Sequence, residues 1–296
     1  MPFENLPVEL ATMVEDEIAT WRNPEIAPLA LVSRSYRQTF TRVLYRTVVL
    51  PSARSISAFS LLAQSAHKEG DQEDQAASVL THVRSLSIWR GADERDWTDY
   101  WEDGIAIVNA CPNLLNLQLS PLSSWKGKLF PALQPRFQRL YIFDMHLGSW
   151  LLGDSPAATT LNNRATHLHI AGVDSFIVLE PVSPLAFPCL TVFSTSCANF
   201  YALHLAERIA QAIKNVLALP TLRRVVVHLA CLEWENHKAS FVWNALRELD
   251  DVRVFYVRNS FDFNSNWREV GLDMWRRDVT GEESMWEVGE QICSPS

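Results

Sequence analysis

The sequence predicts an α/β fold: a small N-terminal helical module followed by an irregular solenoid, a parallel sheet with helices. Three observations predict it. A short apolar template recurs from residue 45 onward at steps of 23 to 38 residues. Stretches of helical periodicity lie between its copies, and alternation of strand and helix favours parallel strands joined by crossovers. The first fifty residues open on a different pattern, two amphipathic helical stretches. With 48% hydrophobic and 20% charged residues, the 296-residue chain can fill a core, which excludes disorder as the dominant state.

The first helical stretch is LPVELATMVEDEIATW. Pro7 suits a first turn, where its missing N–H would be unpaired anyway, and Glu9 suits the positive end of the helix dipole. Leu10, Met13, Val14, Ile18 and Trp21 follow helical spacing, and Asn23-Pro24 breaks it. A second stretch begins at Pro28, with Leu29, Val32, Tyr36, Phe40, Val43 and Leu44 on its apolar face. Two or three short helices bury too little to stand alone, so this module must lean on the rest of the chain or on a partner.

These residues resemble an F-box. Leu6-Pro7-x-Glu9-Leu10, then Leu29-x-Leu31-Val32-Ser33-Arg34-x-Tyr36, then Leu44-Tyr45-Arg46, follow the family's opening LPxEL, central LVsR and closing LYR ahead of the first strand. The likeness covers roughly residues 4–50; Glu15–Pro28 departs from it, with more acids and an Asn-Pro. It implies docking onto the Skp-family adaptor of an SCF (Skp–cullin–F-box) ubiquitin ligase and, through it, a cullin core. Leu6, Pro7, Leu10, Leu31, Val32 and Leu44 are the expected anchors, by the rule that an amphipathic helix pair lays apolar side chains in a partner groove.

The recurring template is apolar-x-x-apolar-x-apolar. It reads Tyr45/Val48/Leu50, Val83/Leu86/Ile88, Leu114/Leu117/Leu119, Phe137/Leu140/Ile142, Ala165/Leu168/Ile170, Leu222/Val225/Val227 and Val252/Phe255/Val257. A weaker copy is Leu190/Phe193/Thr195. The last two positions of each copy alternate as a strand does. Residues 54–66, 202–219 and 235–250 read as the intervening helices, and 67–78 as a polar loop. The units resemble degenerate leucine-rich repeats that lack most of the family's Asn ladder, each burying its apolar face against its neighbours. A doubly wound α/β sheet is the alternative. The division expected is residues 1–50 as F-box helices, 51–260 as a leucine-rich-repeat-like solenoid and 261–296 as a C-terminal cap and tail.

The net charge of −8 is concentrated. Residues 93–103 hold six acids and one Arg, and residues 262–290 hold eight acids and three Arg, each net −5. No basic stripe exists, so nucleic acid is not an expected partner. In the first segment Trp97, Tyr100 and Trp101 interleave with acids, and Trp101, Ile105 and Val108 continue a helical stripe. Inward-packed aromatics with solvated acids explain this; the sharper reading is a target-binding patch built from Trp97, Asp99, Glu102 and Asp103. In the second, Trp267, Trp275 and Trp286 suit the end cap a solenoid needs, with a ligand-binding tail as the alternative.

Catalytic signatures are missing from the sequence: no GxSxG, HExxH, P-loop or GxGxxG. His167 and His169 share a strand face, but two histidines without a third ligand read as partly buried strand residues rather than a metal site. Five scattered cysteines are not a disulfide framework and suit a reducing compartment. No run of about 18 apolar residues and no signal peptide is evident, so neither membrane insertion nor secretion is expected. The expectation is a non-enzymatic substrate adaptor without cofactor or metal, cytoplasmic or nuclear, resembling the fungal type of F-box protein. The alternative is a repeat scaffold whose F-box-like helices act only as an N-terminal cap.

Overall fold

A computed structural model describes residues 34–65, 79–89, 101–119, 137–143, 164–171, 187–198, 203–231, 240–260 and 267–292. Among them the elements are α1 (Arg34–Arg46), β1 (Thr47–Leu50), α2 (Ala53–Ser65), β2 (Ser85–Ile88), α3 (Trp101–Ala110), β3 (Asn116–Leu119), β4 (Arg139–Phe143) and β5 (His167–Ala171). They continue with β6 (Val192–Ala198), α4 (Leu203–Leu217), β7 (Arg224–Cys231), α5 (Phe241–Arg247), β8 (Val254–Ser260), α6 (Trp267–Thr280) and β9 (Glu290–Gln291). The protein is α/β, with the nine strands in chain order in a mostly parallel sheet. β1 runs parallel to β2, and β4 through β8 run parallel to one another; β9 runs antiparallel to β8. The first predicted helix and the 67–78 loop lie outside the described residues.

The chain divides into two compact units, Met1–Asn116 with Arg277–Glu283 and Leu117–Arg276 with Ser284–Ser296. In the first, α2 and α3 pack together and bury Ile56, Phe59, Ile105 and Val108, so the Ile105/Val108 stripe faces inward as its spacing predicts. Helix α2 starts on a reciprocal serine cap: Ser55 N–H donates to Ser52 Oγ at 3.2 Å, and Ser52 N–H donates to Ser55 Oγ at 3.1 Å. This satisfies amides that a helix start leaves without partners.

The second unit is organised by its strand register. Leu140, Leu168, Phe193, Val225 and Val254 stand opposite one another along β4 to β8, and Ile142, Ile170, Thr195, Val227 and Tyr256 form the next row. This face meets helices. The ring of Trp243 on α5 lies 4.3 Å from that of Tyr256, and Ala206, Ile209, Ile213 and Val216 of α4 are buried. Helix α5 begins on Ser240, whose Oγ accepts from Trp243 N–H at 3.0 Å.

Every copy of the sequence template falls on a strand, but the last is one residue out of frame. Val254 and Tyr256 are buried in register with Val225 and Val227, whereas Val252 is 54% exposed and Phe255 and Val257 point to the opposite face. In VRVFYV apolar side chains occupy both alternating sets, so periodicity alone does not choose between them. The template is also one position longer than it reads in sequence. Val83, Leu114, Leu190 and Leu222 each donate an amide to the carbonyl three residues earlier, on Leu80, Cys111, Phe187 and Leu219. All four of those upstream residues are buried. These four copies therefore enter their strands through the same one-turn apolar bend.

At the strand starts one carbonyl repeatedly serves two amides. Arg84 O accepts from Leu115 and Asn116, Gln138 O from Thr166 and His167, Thr166 O from Thr191 and Val192, and Thr191 O from Arg223 and Arg224. This pairing fixes the register from one strand to the next, and the threonine hydroxyls reinforce it: Thr191 Oγ1 donates to Thr166 O at 3.0 Å. Among the described residues no helix is long and apolar enough to cross a membrane.

Candidate functional site

The site lies on the other face of the sheet in the second unit. Alternation places Tyr141 on β4, His167 and His169 on β5, Ser194 and Ser196 on β6, and Arg224 and His228 on β7 on that face. Tyr141, His169 and Ser194 stand directly opposite one another, as do Ser196 and His228. A fully covered parallel sheet is normally apolar on both sides. Here one side mixes polar side chains with Val192 and Val226, and the polar ones are still closed from solvent: Tyr141, His169, Ser194 and His228 are all buried.

Part of the cover is the C-terminal segment. The ring of Trp286 lies 5.2 Å from Tyr141, 5.1 Å from His167 and 6.3 Å from His169, edge-on to both imidazoles. Trp275 of α6 meets Tyr141 edge-on at 6.5 Å. Edge-to-face packing is the arrangement aromatic quadrupoles favour. The polar residues of β7 hold the segment by its main chain. His228 Nε2 lies 3.1 Å from Met285 O, and Arg224 donates from one Nη to Glu287 O at 2.9 Å and Val288 O at 3.1 Å. The Arg224 guanidinium also sits 3.6 Å over the Phe255 ring, a cation–π contact. Beyond Gly289, β9 pairs with Phe255 and Tyr256, and Tyr256 Oη donates to Glu290 Oε2 at 3.1 Å.

Burial sets the charge state of the imidazoles. It pushes His228 down to about 4, against the opposing pull of the Met285 carbonyl, which stabilises the protonated ring. His169 is pushed well below the ordinary histidine range, first by burial and then by His228, whose ring is 6.0 Å away. Both rings are therefore neutral at pH 7. His169 Nδ1 lies 3.0 Å from Ser194 Oγ, and its Nε2 lies 3.4 Å from Ser196 Oγ. A hydroxyl on an imidazole is the pairing nucleophilic catalysis uses, but Ser194 and His169 are both fully buried and closed to a substrate in this state. Among the described residues no group of three His, Cys, Asp or Glu could hold a metal ion. Burial pushes the Cys111 thiol up to about 12, which leaves it inert, while Cys189 is a free, exposed thiol.

Of the residues predicted to dock an adaptor, Leu6, Pro7, Leu10, Leu31 and Val32 lie outside the described residues. Leu44 is in the last turn of α1 and half-buried, one residue after the buried Val43. Of the acidic patch, Trp97 and Asp99 lie outside the described residues. Glu102 is exposed in the first turn of α3. Asp103 is turned onto α2 instead of outward: Ser60 Oγ donates to it at 2.6 Å and Ser57 Oγ at 3.4 Å. The two carboxylates thus do different things.

Tyr141, Arg224 and His228 were not singled out by sequence reasoning, though a signal exists. RVVVHLAC interrupts an apolar strand with Arg and His four apart, an even spacing that places both on one face. Trp275 and Trp286, predicted as parts of an end cap, are among the most deeply buried residues of the second unit. No protein-family model and no curated protein matches this sequence.

Proposed function

We propose that this chain is a substrate-recognition adaptor of an SCF-type ubiquitin ligase. Its N-terminal F-box-like residues would engage the Skp-family adaptor, and its repeat-bearing region, an irregular leucine-rich-repeat-like solenoid, would bind a target protein. The observation that carries the reading is the order of motifs: LPxEL, LVSR and LYR at family spacing, with Leu44-Tyr45-Arg46 closing α1 directly before the first strand. The shared turn-and-strand unit, repeated along the sheet in chain order, supports the second half. Ubiquitin transfer would belong to other subunits, and this chain would raise the effective concentration of target at the ligase.

A pull-down with purified Skp-family adaptor tests the reading. The full chain binds in the low micromolar range, and Leu10→Asp combined with Val32→Asp abolishes binding. Failure of the intact chain to bind at that concentration removes the ligase role and leaves a repeat scaffold with a helical cap.

A further inference from the structure

We propose that the edge where β4 to β7 begin is a docking surface for an acidic segment of another protein, and that Arg164 and Arg223 hold it. The inference rests on reading the repeat region as the target-binding part; it names the edge that meets a target and the charge that target carries.

The charge of this region has one sign. Residues 137–143, 164–171, 187–198 and 219–231 make the four strands and their entries, and they contain no aspartate or glutamate, in a chain of net charge −8. Their arginines are Arg139, Arg164, Arg223 and Arg224. Arg139 and Arg224 open their strands, and Arg164 and Arg223 lie just ahead of theirs, so parallel pairing brings all four to one end of the sheet. No run in the sequence shows this, because the fold alone collects them. Like charges gathered on one edge repel, and a partner of opposite charge relieves the repulsion. The neighbouring arginines show how the fold treats one that it uses itself. Arg224 donates to Glu287 O and Val288 O, Arg139 is half-buried, and Arg253 at the entry of β8 pairs with Asp251 at 2.6 Å. Arg164 and Arg223 are exposed, and neither side chain makes a hydrogen bond or ion pair among the described residues. Their guanidinium forks are therefore open to carboxylates. Arg164 leads into β5 and Arg223 into β7, so two strand spacings, about 10 Å, separate the entries. An extended segment crossing the edge covers that distance in about three residues, which sets acids at i and i+3 against the two arginines. The β6 entry between them presents the exposed Pro188 and Cys189. Two open arginines suit a short acidic peptide; a nucleic acid calls for a longer basic track with stacking aromatics.

The test uses the full chain and a probe peptide of glycine and serine with glutamates three residues apart. Cys189 is a free, exposed thiol on the same edge, so its alkylation by iodoacetamide, followed by mass spectrometry, reports occupation. Exposed ion pairs are individually weak, so the peptide at about 1 mM and low salt is expected to slow alkylation about threefold, and high salt to abolish the effect. Arg164→Glu combined with Arg223→Glu is expected to remove the protection. Arg164→Gln with Arg223→Gln, which decides the matter if the glutamate pair fails to fold, is expected to weaken it. Arg42→Glu with Arg54→Glu makes the same change in net charge at exposed arginines of the first unit and is expected to leave protection intact. No protection of the intact chain, equal protection in the substituted edge, or equal protection by a lysine version of the peptide would each overturn the proposal. So would stronger protection by a single-stranded oligonucleotide of matched charge, which would make nucleic acid the occupant. Loss of protection in the Arg42 and Arg54 pair would overturn it too, since net charge alone would then be the cause. Adaptor binding is scored separately on the same protein, so either reading can fail alone.

Discussion

His228 Nε2 and the carbonyl oxygen of Met285 lie 3.1 Å apart, though 57 residues separate them in sequence. A carbonyl can only accept, so Nε2 carries the proton and the neutral ring has one tautomer. Together with the Arg224 bonds to Glu287 O and Val288 O it ties β7 to the C-terminal segment, and it makes that tie depend on an imidazole that stays uncharged when folded.

Acid should therefore loosen the second unit before the carboxylates titrate. His228 has its folded value lowered from 6.5 to about 4, and His169 shifts in the same direction. Their stabilising contribution is intact above about pH 6.5. It is lost as pH falls toward 4, because the unfolded chain binds protons that the folded chain refuses. From His228 alone the loss between pH 7 and pH 5 is about 2 kcal/mol. Urea unfolding at the two pH values measures it. His228→Gln keeps an N–H donor without the titration and should flatten the difference.

Removal of the Trp286 indole should be costly. The side chain is buried against three rings, so Trp286→Ala should lower unfolding free energy by about 3–5 kcal/mol. Glu287→Ala, one residue on and exposed, should change it by less than about 0.5 kcal/mol. Arg224 bonds the carbonyl of residue 287, which the alanine retains. Thermal and urea unfolding of the two variants gives the comparison.

Asp103 accepts from Ser60, whose hydroxyl is buried. Asp103→Ala would remove the acceptor of that hydroxyl's proton while Gln64 Nε2 still donates to its oxygen, at about 1 kcal/mol. Glu102→Ala should be close to neutral for folding, since its carboxylate is exposed. If both substitutions weaken a target equally while only Asp103→Ala destabilises the chain, the patch acts in binding as well as in packing.

Much of this was legible in the sequence because apolar spacing reports burial directly. Leu140/Ile142, Leu168/Ile170 and Val225/Val227 share one buried sheet face as their alternation predicts. The last copy was misread because Val252, Phe255 and Val257 fit the template as well as Val254 and Tyr256 do, and only pairing with β7 separates them. Val254→Ala should then cost about 2 kcal/mol and Val252→Ala well under 1 kcal/mol, a contrast that urea unfolding would reverse if the original frame were right. The polar face was illegible for a different reason. A buried histidine and an exposed one look alike in sequence, and what buries Tyr141 and His228 comes from Trp275, Met285 and Trp286, far along the chain.

The two glycines that bracket the C-terminal segment should respond unequally to alanine. Gly281 has φ of 82° and nothing within 4 Å of an added Cβ, so Gly281→Ala carries only backbone strain, about 1 kcal/mol. Gly289 has φ of 112°, and its Cβ would stand 2.7 Å from Tyr256 O and 3.1 Å from Val257 Cγ2. A carbonyl in a sheet cannot step aside as a side-chain tip can, so β9 must move off β8. Gly289→Ala should cost about 2–3 kcal/mol by strain and clash together. It should also release the Ile292 amide from Val254 O and the Gln291 side chain from Val252 O. Hydrogen exchange reads this locally: faster exchange at Ile292 in Gly289→Ala, with Gly281→Ala unchanged there, is the expected pattern. Equal exchange in both variants would mean that β9 is not held by the close approach at Gly289.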